Sequence, residues 1–339
     1  MTHVLAFTCD VLRAACDVLS RATCCVLSCA TCCVLVALAL ASGLPAQTPQ
    51  TMRVSVDVSV EVEDFGTPPK LEASDFEIRA WGQQMPVSAV TVNKQPLRLI
   101  LLLDLSSSIT RRIEKGTIKD HVRDMFIDHL QPGEEARIGG FARDLRLSPL
   151  FTRDRRTLQR GLDAALAHRE ENTYGPSPIW DATYQALDGF ADAAGRKSVV
   201  ILTDGRATGN RRGIEDVVEH AVRMGATINV ISLDRQLYIQ QDAATAVVVR
   251  PRNVLLWMAE VTGGQVITMI HEPREPMGPA VALDRLLAAL RRVYTLEFEA
   301  PVAEGRFHKI EVVVKHPSAT VRAPKVFYSA SSSPPPAPR

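Results

Sequence analysis

Polarity alternates with a period of two near both ends of the chain, and with a period close to 3.6 between them. Val54, Val56, Val58, Val60 and Val62 are separated by Ser, Asp and Glu, the pattern of a strand with one buried face. Gly66, Pro68 and Pro69 interrupt it, and Asp75–Ala80 and Pro86–Val92 read as further short strands, so residues 51–94 are expected to be all-β. From Leu97 to Leu103 the chain is almost continuously apolar and ends at Asp104, as in a central strand covered on both faces. Helical spacing follows over Arg112–Leu130, where Ile113, Ile118, Val122, Met125, Phe126 and Leu130 share one side. Further helices are predicted over Asp154–Ala167, from Pro178 through Ala193, and over Gly213–Met224, Asn253–Val261 and Val281–Arg292. Strands are predicted between them at Ala136–Ala142, Ser198–Thr203, Thr227–Leu233 and Gln265–Met269. The period then returns to two in Tyr294–Ala300, Phe307–Lys315 and Thr320–Tyr328.

Strands alternating with helices imply parallel strands joined by crossovers. The expected fold is therefore α/β: a doubly wound, mostly parallel sheet over residues 96–292, with a second all-β domain built from both flanks, 47–95 and 293–328. A Ser/Pro-rich tail, 329–339, is expected to be disordered.

The first 46 residues differ from the rest. All seven cysteines lie between Cys9 and Cys33, so no disulfide framework spans the fold. Arg13 and Arg21 precede an uncharged stretch, Ala22 to Ala41, and small residues follow up to Ala46. This is the layout of a secretory signal cleaved near Ala46; the alternative is an uncleaved anchor, since the stretch is about long enough to span a bilayer. The cysteine-bearing segment repeats as Cys9-Asp-Val-Leu, Cys16-Asp-Val-Leu, Cys25-Val-Leu and Cys33-Val-Leu, without the spacing of zinc ligands. Lys and Arg total 39 against 38 for Asp and Glu, which argues against a nucleic-acid or polybasic membrane binder. Membrane contact is expected only if the N-terminal segment is retained.

Two of the buried runs end in a carboxylate, at Asp104-Leu-Ser-Ser-Ser108 and Thr203-Asp-Gly205. In an open parallel sheet, ligands bind beyond the carboxyl ends of the strands. A tight loop after the first strand can aim Asp104, Ser106 and Ser108 at one point, while Asp204 adds a second negative charge from another strand. Carboxylate and hydroxyl oxygens suit a small hard cation, Mg²⁺ or Mn²⁺. The plainer reading is that Ser106 and Ser108 cap the following helix.

Leu99-Ile-Leu-Leu-Leu-Asp-Leu-Ser-Ser-Ser108 resembles the first motif of the von Willebrand factor A domain, its metal-ion-dependent adhesion site. Val199-Val-Ile-Leu-Thr-Asp-Gly205 is similar to that family's fourth-strand motif, and Gly175-Pro-Ser-Pro-Ile-Trp-Asp-Ala182 to its Gly-x-Thr-x-hydrophobic segment, with Ser177 where the family has Thr. The resemblance implies direct ligation by Ser106, Ser108 and Ser177, and action of Asp104 and Asp204 largely through bound waters. It implies no catalytic activity, and a protein partner that presents an Asp or Glu carboxylate to the metal. The flanks, through Asp75-Phe-Glu-Ile78 and Phe307-His-Lys-Ile-Glu-Val-Val-Val314, are similar to bacterial extracellular proteins related to the von Willebrand factor A domain. The function expected is cation-dependent protein binding in the periplasm, in the cell envelope or outside the cell.

Two other readings compete with it. A Mg²⁺-dependent phosphatase or phosphotransferase of the haloacid-dehalogenase type also ends its first strand in Asp, but needs a second Asp two residues on as acid and base. That position is Ser106, and a hydroxyl is a poor general acid near neutral pH. A structural protein with a vestigial site is the third reading. Neither a P-loop nor a Gly-x-Ser-x-Gly elbow is present. The loop Arg235–Arg252 exceeds what a βα connection requires, and either shapes partner choice or is a disordered insertion. Relief of repulsion between Asp104 and Asp204 predicts that metal-free Asp104→Ala gains stability.

Overall fold

Leu99, Leu101 and Leu103 turn to one face of their strand, Ile100 and Leu102 to the other, and each set is buried in a separate apolar core. This double burial is why the run carries no alternation. In the computed structural model the described residues are 51–62, 70–92, 95–106, 109, 115–171, 176–191, 193–233, 254–268, 278–301, 305–316 and 318–329. The expected signal segment, Ser108, the loop 235–252 and the tail from residue 330 lie outside them.

The strands are β1 (Thr51–Val62), β2 (Phe76–Ala80), β3 (Gln83–Met85), β4 (Val87–Val92), β5 (Leu97–Asp104), β6 (Glu134–Phe141), β7 (Leu145–Leu147), β8 (Arg196–Thr203), β9 (Ala226–Ser232), β10 (Val266–Thr268), β11 (Val293–Pro301), β12 (Arg306–Val314), β13 (Ala319–Arg322) and β14 (Val326–Ser329). The helices are α1 (Lys115–Val122), α2 (Arg155–Glu171), α3 (Ile179–Asp188), α4 (Ile214–Met224), α5 (Val254–Thr262) and α6 (Pro279–Arg291). The central sheet has the order β10-β9-β8-β5-β6-β7 and is parallel except for β7. Residues of α1, α2 and α6 cover one face and residues of α3, α4 and α5 the other. The fold is thus α/β with a largely parallel sheet, accompanied by antiparallel sheets.

The two antiparallel sheets have orders β13-β1-β11-β4 and β14-β12-β2-β3. Each mixes strands from before and after the α/β segment. Val54, Val56, Val58 and Val60 of β1 meet Phe76, Ile78, Phe298, Ile310 and Phe327 in a third apolar core. Contacts also tie these sheets to the α/β layers: Ser59 Oγ donates to the Ala289 carbonyl at 3.3 Å, and the Arg223 guanidinium lies over the rings of Phe307 and Tyr328.

Four expectations need correction. The span Thr320–Tyr328 is two strands in different sheets, divided at Pro324, which has no N–H to continue a ladder. The Arg112–Leu130 helix is α-helical over Lys115–Val122 and widens into a π-turn over Arg123–Ile127, closed by Asp128 N donating to the Arg123 carbonyl at 3.0 Å. The wider turn brings both Phe126 and Ile127 into the core. The helix expected to run from Pro178 to Ala193 has Pro178 as its N-cap and ends at Asp188, before Gly189. Strand β3 was not foreseen: its hairpin turn is Trp81-Gly82, both at positive φ (53° and 74°), and Trp is not a residue whose presence signals such a turn.

Candidate metal centre

β5 and β8 are adjacent and parallel, with Leu103 beside Leu202, so Asp104 and Thr203 end their strands side by side. Asp104 is 2% exposed and Asp204 is fully buried. Asp104 Oδ1 accepts the Ser106 backbone N–H at 3.0 Å. Its Oδ2 accepts the Thr203 hydroxyl at 2.6 Å and the Ser177 hydroxyl at 3.1 Å. Ser177 comes from the segment before α3, which is pinned to the loop after β8. Thr208 N donates to the Ser177 carbonyl at 2.8 Å, and Ser177 N donates to the Thr208 hydroxyl at 2.9 Å. Gly209, at φ 70°, allows this approach, because a Cβ there would stand 2.5 Å from that of Pro176.

The three sequence segments therefore meet at one carboxylate, on the carboxyl edge of the parallel sheet. The α/β unit has a largely parallel sheet with helices on both faces, as the sequence leads one to expect. No protein-family model and no curated protein matches the chain. Among solved structures, the chain is similar to von Willebrand factor type A from Catenulispora acidiphila, at 11% identity and a TM-score of 0.45, over 84% of this chain and 76% of that one. It is also similar to BatB from Bacteroides thetaiotaomicron, a conserved hypothetical protein, at 15% identity and a TM-score of 0.43, over 57% and 97%. A third is an aerotolerance-related membrane protein from Bacteroides fragilis, at 15% identity and a TM-score of 0.42, over 58% and 98%. At these identities and TM-scores, the likenesses assign no residue role and no partner to this chain.

The local geometry itself fits a hard cation. Asp204 Oδ1 accepts the Arg206 backbone N–H at 3.1 Å, while Oδ2 is buried with no hydrogen-bond partner among the described residues. A buried carboxylate oxygen in that state is costly unless a cation answers it; Arg206 Nε approaches to 3.9 Å, which attracts it but makes no hydrogen bond. The donor chemistry agrees. No group of three or more His, Cys, Asp or Glu side chains forms a cluster among the described residues, so the site offers two carboxylates and hydroxyls, the set suited to Mg²⁺ or Mn²⁺ rather than to a softer metal. Ser177 gives its hydroxyl proton to Asp104, which leaves oxygen lone pairs for a cation. Thr203 does the same, but its oxygen already accepts Gly205 N–H at 2.9 Å. Thr203 is thus a positioning residue, and it was absent from the expected site residues. The signal was present in the sequence as a β-branched hydroxyl at the last position of a buried strand.

Of the expected ligands, Asp104, Ser106 and Ser177 are in hydrogen-bonded contact, and Asp204 follows directly on Thr203. Ser108 lies outside the described residues. The Asp104 carboxyl is held above its ordinary range by burial. The Thr203 hydroxyl and the Ser106 N–H and hydroxyl oppose that rise, and the charge of Asp204 adds a little to it. A cavity of about 250 Å³ lies elsewhere, at the opposite edge of the sheet among Leu97, Arg196, Ala226 and Asp57; it shares no residue with this centre.

Proposed function

We propose that the chain binds a divalent cation, Mg²⁺ or Mn²⁺, through Asp104, Ser106, Ser108, Ser177 and Asp204, and uses it to bind a protein partner outside the cytoplasm. The observation that carries this reading is the buried Asp204 oxygen with no hydrogen bond among the described residues, near a carboxylate whose own oxygens are occupied by protein donors. Bound there, the cation supplies an electrophilic position that an Asp or Glu carboxylate of the partner can fill. Hydroxyl ligands keep that position electrophilic because they bring no charge of their own, and Mg²⁺ commonly retains exchangeable waters. A binding module is favoured over a phosphotransferase because Ser106 stands where such an enzyme needs its acid and base, and a hydroxyl serves that role poorly.

The described residues hold no helix long and apolar enough to cross a membrane. The proposed export rests on the sequence pattern of the N-terminal 46 residues, with mature protein starting near Gln47. Sequencing the N-terminus of the native protein decides between cleavage and a retained anchor. The functional test is calorimetric titration of Mg²⁺ into wild type and Asp104→Ala, then capture from a periplasmic or secreted fraction in Mg²⁺ and in EDTA. Wild type should bind the ion and Asp104→Ala should not, with capture lost in EDTA. A wild type that takes no divalent ion at millimolar concentration, or a partner held equally in EDTA, overturns the proposal.

A further inference from the structure

The Asp204 carboxylate has a second cation available within the chain. Its Oδ2 stands 3.9 Å from Arg206 Nε, too far for a hydrogen bond and close enough for strong attraction. Gly205, at φ 78°, turns the chain so that the backbone N–H and the guanidinium of Arg206 both come back to the same carboxylate. The two partners differ in exposure. Asp204 is fully buried, while half of the Arg206 side-chain surface is open to solvent. A guanidinium is always charged and donates hydrogen bonds only, so it can neutralise Asp204 but cannot sit in a cation's coordination shell.

We infer that Arg206 is a built-in competitor for the divalent cation. In the metal-free protein it supplies the positive charge that the buried Asp204 requires. A divalent ion entering the site brings like charge against it, and the half-exposed side chain swings into solvent without disturbing the core. The cation affinity of the chain is therefore set below what its oxygen ligands alone would give. This rests on the cation-binding reading above and adds its regulation.

The test uses Mn²⁺ alone as the probe, titrated calorimetrically into the full chain as wild type, Arg206→Ala, Arg206→Lys and Arg53→Ala. Arg53 is a largely exposed arginine of β1 and controls for the loss of one positive charge. Arg206→Ala should bind Mn²⁺ about tenfold more tightly, Arg206→Lys close to wild type, and Arg53→Ala as wild type. In EDTA, Arg206→Ala should melt about 2 °C or more below wild type, and saturating Mn²⁺ should remove the difference. Equal or weaker Mn²⁺ binding by Arg206→Ala, with wild type binding normally, overturns the inference and leaves the cation site standing. Melting of Arg206→Ala at or above wild type in EDTA also overturns it. Absence of binding in every variant overturns the cation reading, and this inference with it.

Discussion

Replacing Thr203 with Val keeps the shape of a buried β-branched side chain and removes one oxygen. That oxygen donates to Asp104 Oδ2 at 2.6 Å and accepts from Gly205 N at 2.9 Å. A hydrogen bond to a charged group contributes roughly 1.5–3 kcal/mol, and a backbone donor left without an acceptor costs about 1 kcal/mol where it is part-buried. Asp104 keeps the Ser106 and Ser177 donors, so the loss is bounded. Thr203→Val should destabilise the metal-free protein by about 2–4 kcal/mol, or about 3–7 °C in Tm for a chain of this size. The loss should depend on pH. Burial already holds the Asp104 carboxyl above its ordinary range, with the Thr203 hydroxyl the largest influence opposing it. Removing that hydroxyl raises it further. Between the unfolded and folded values, the native state binds the extra proton, so stability falls as pH rises through that window. The variant's deficit should therefore be largest above the window and shrink as pH falls into it. The assay is urea unfolding in EDTA at several pH values, with the m-value checked for constancy. A deficit below about 0.5 kcal/mol at neutral pH, or one that grows on acidification, refutes the assignment of Thr203 as the group that positions Asp104.

Arg223→Ala, which removes a guanidinium lying 4.7 and 4.5 Å from the Phe307 and Tyr328 ring centroids, should cost about 1–2 kcal/mol in chemical denaturation, with Arg223→Lys recovering part of it. Arg291→Ala breaks a bidentate pair with Glu134 (2.8 and 2.9 Å) and should cost about 2–3 kcal/mol at neutral pH. Burial acts to raise the Glu134 carboxyl, but the Arg291 and Gln131 hydrogen bonds outweigh it and hold it below its ordinary value; this stability is present above the ordinary value and lost as pH falls through the folded one, so wild type and variant should converge in acid unfolding curves. Gly209→Ala places a Cβ 2.5 Å from that of Pro176 at a positive φ; it should shift the Ser177 segment and weaken Mn²⁺ binding severalfold by titration, whereas unchanged affinity would show that Ser177 needs no such positioning.

The α/β half of the fold was legible because its signals are local. A strand covered on both faces must be apolar throughout, and Leu97–Leu103 is apolar at every position but Arg98. The alternation of Val54 to Val60 likewise marks β1, whose valines are buried as a single face. The order of strands was not legible. β1 pairs with β11, some 240 positions away, and nothing in an alternating pattern names its partner. The split at Pro324 could have been read from the proline alone, since a strand interior does not accommodate its missing donor. For the site, the ends of the buried runs located Asp104 and Asp204, because chain direction fixes which edge of a parallel sheet a strand leaves. The roles of Thr203 and Arg206 depended on hydrogen-bond geometry, which residue type does not encode.

That geometry separates two carboxylates that look equivalent in sequence. Asp104 accepts from Ser106 N, Ser177 Oγ and Thr203 Oγ1, whereas among the described residues Asp204 accepts a hydrogen bond only from Arg206 N, and its other oxygen, though buried, accepts none. The charge of Asp204 is the smallest influence raising or lowering the Asp104 carboxyl, so relief of repulsion on removing Asp104 is minor. Three donors left without an acceptor outweigh it. Metal-free Asp104→Ala should therefore lose about 2–4 kcal/mol, the reverse of the gain expected from repulsion alone. Asp204→Asn removes a buried charge but sets an amide NH₂ where Oδ2 has no partner among the described residues, and the two effects oppose each other, so in EDTA it should lose less stability than Asp104→Ala. Both should lose Mn²⁺ binding. Unfolding the pair in EDTA beside wild type measures the contrast directly. Equal losses would mean that the two carboxylates are structurally interchangeable, and that the unbonded Asp204 oxygen is not what prepares the site for a cation.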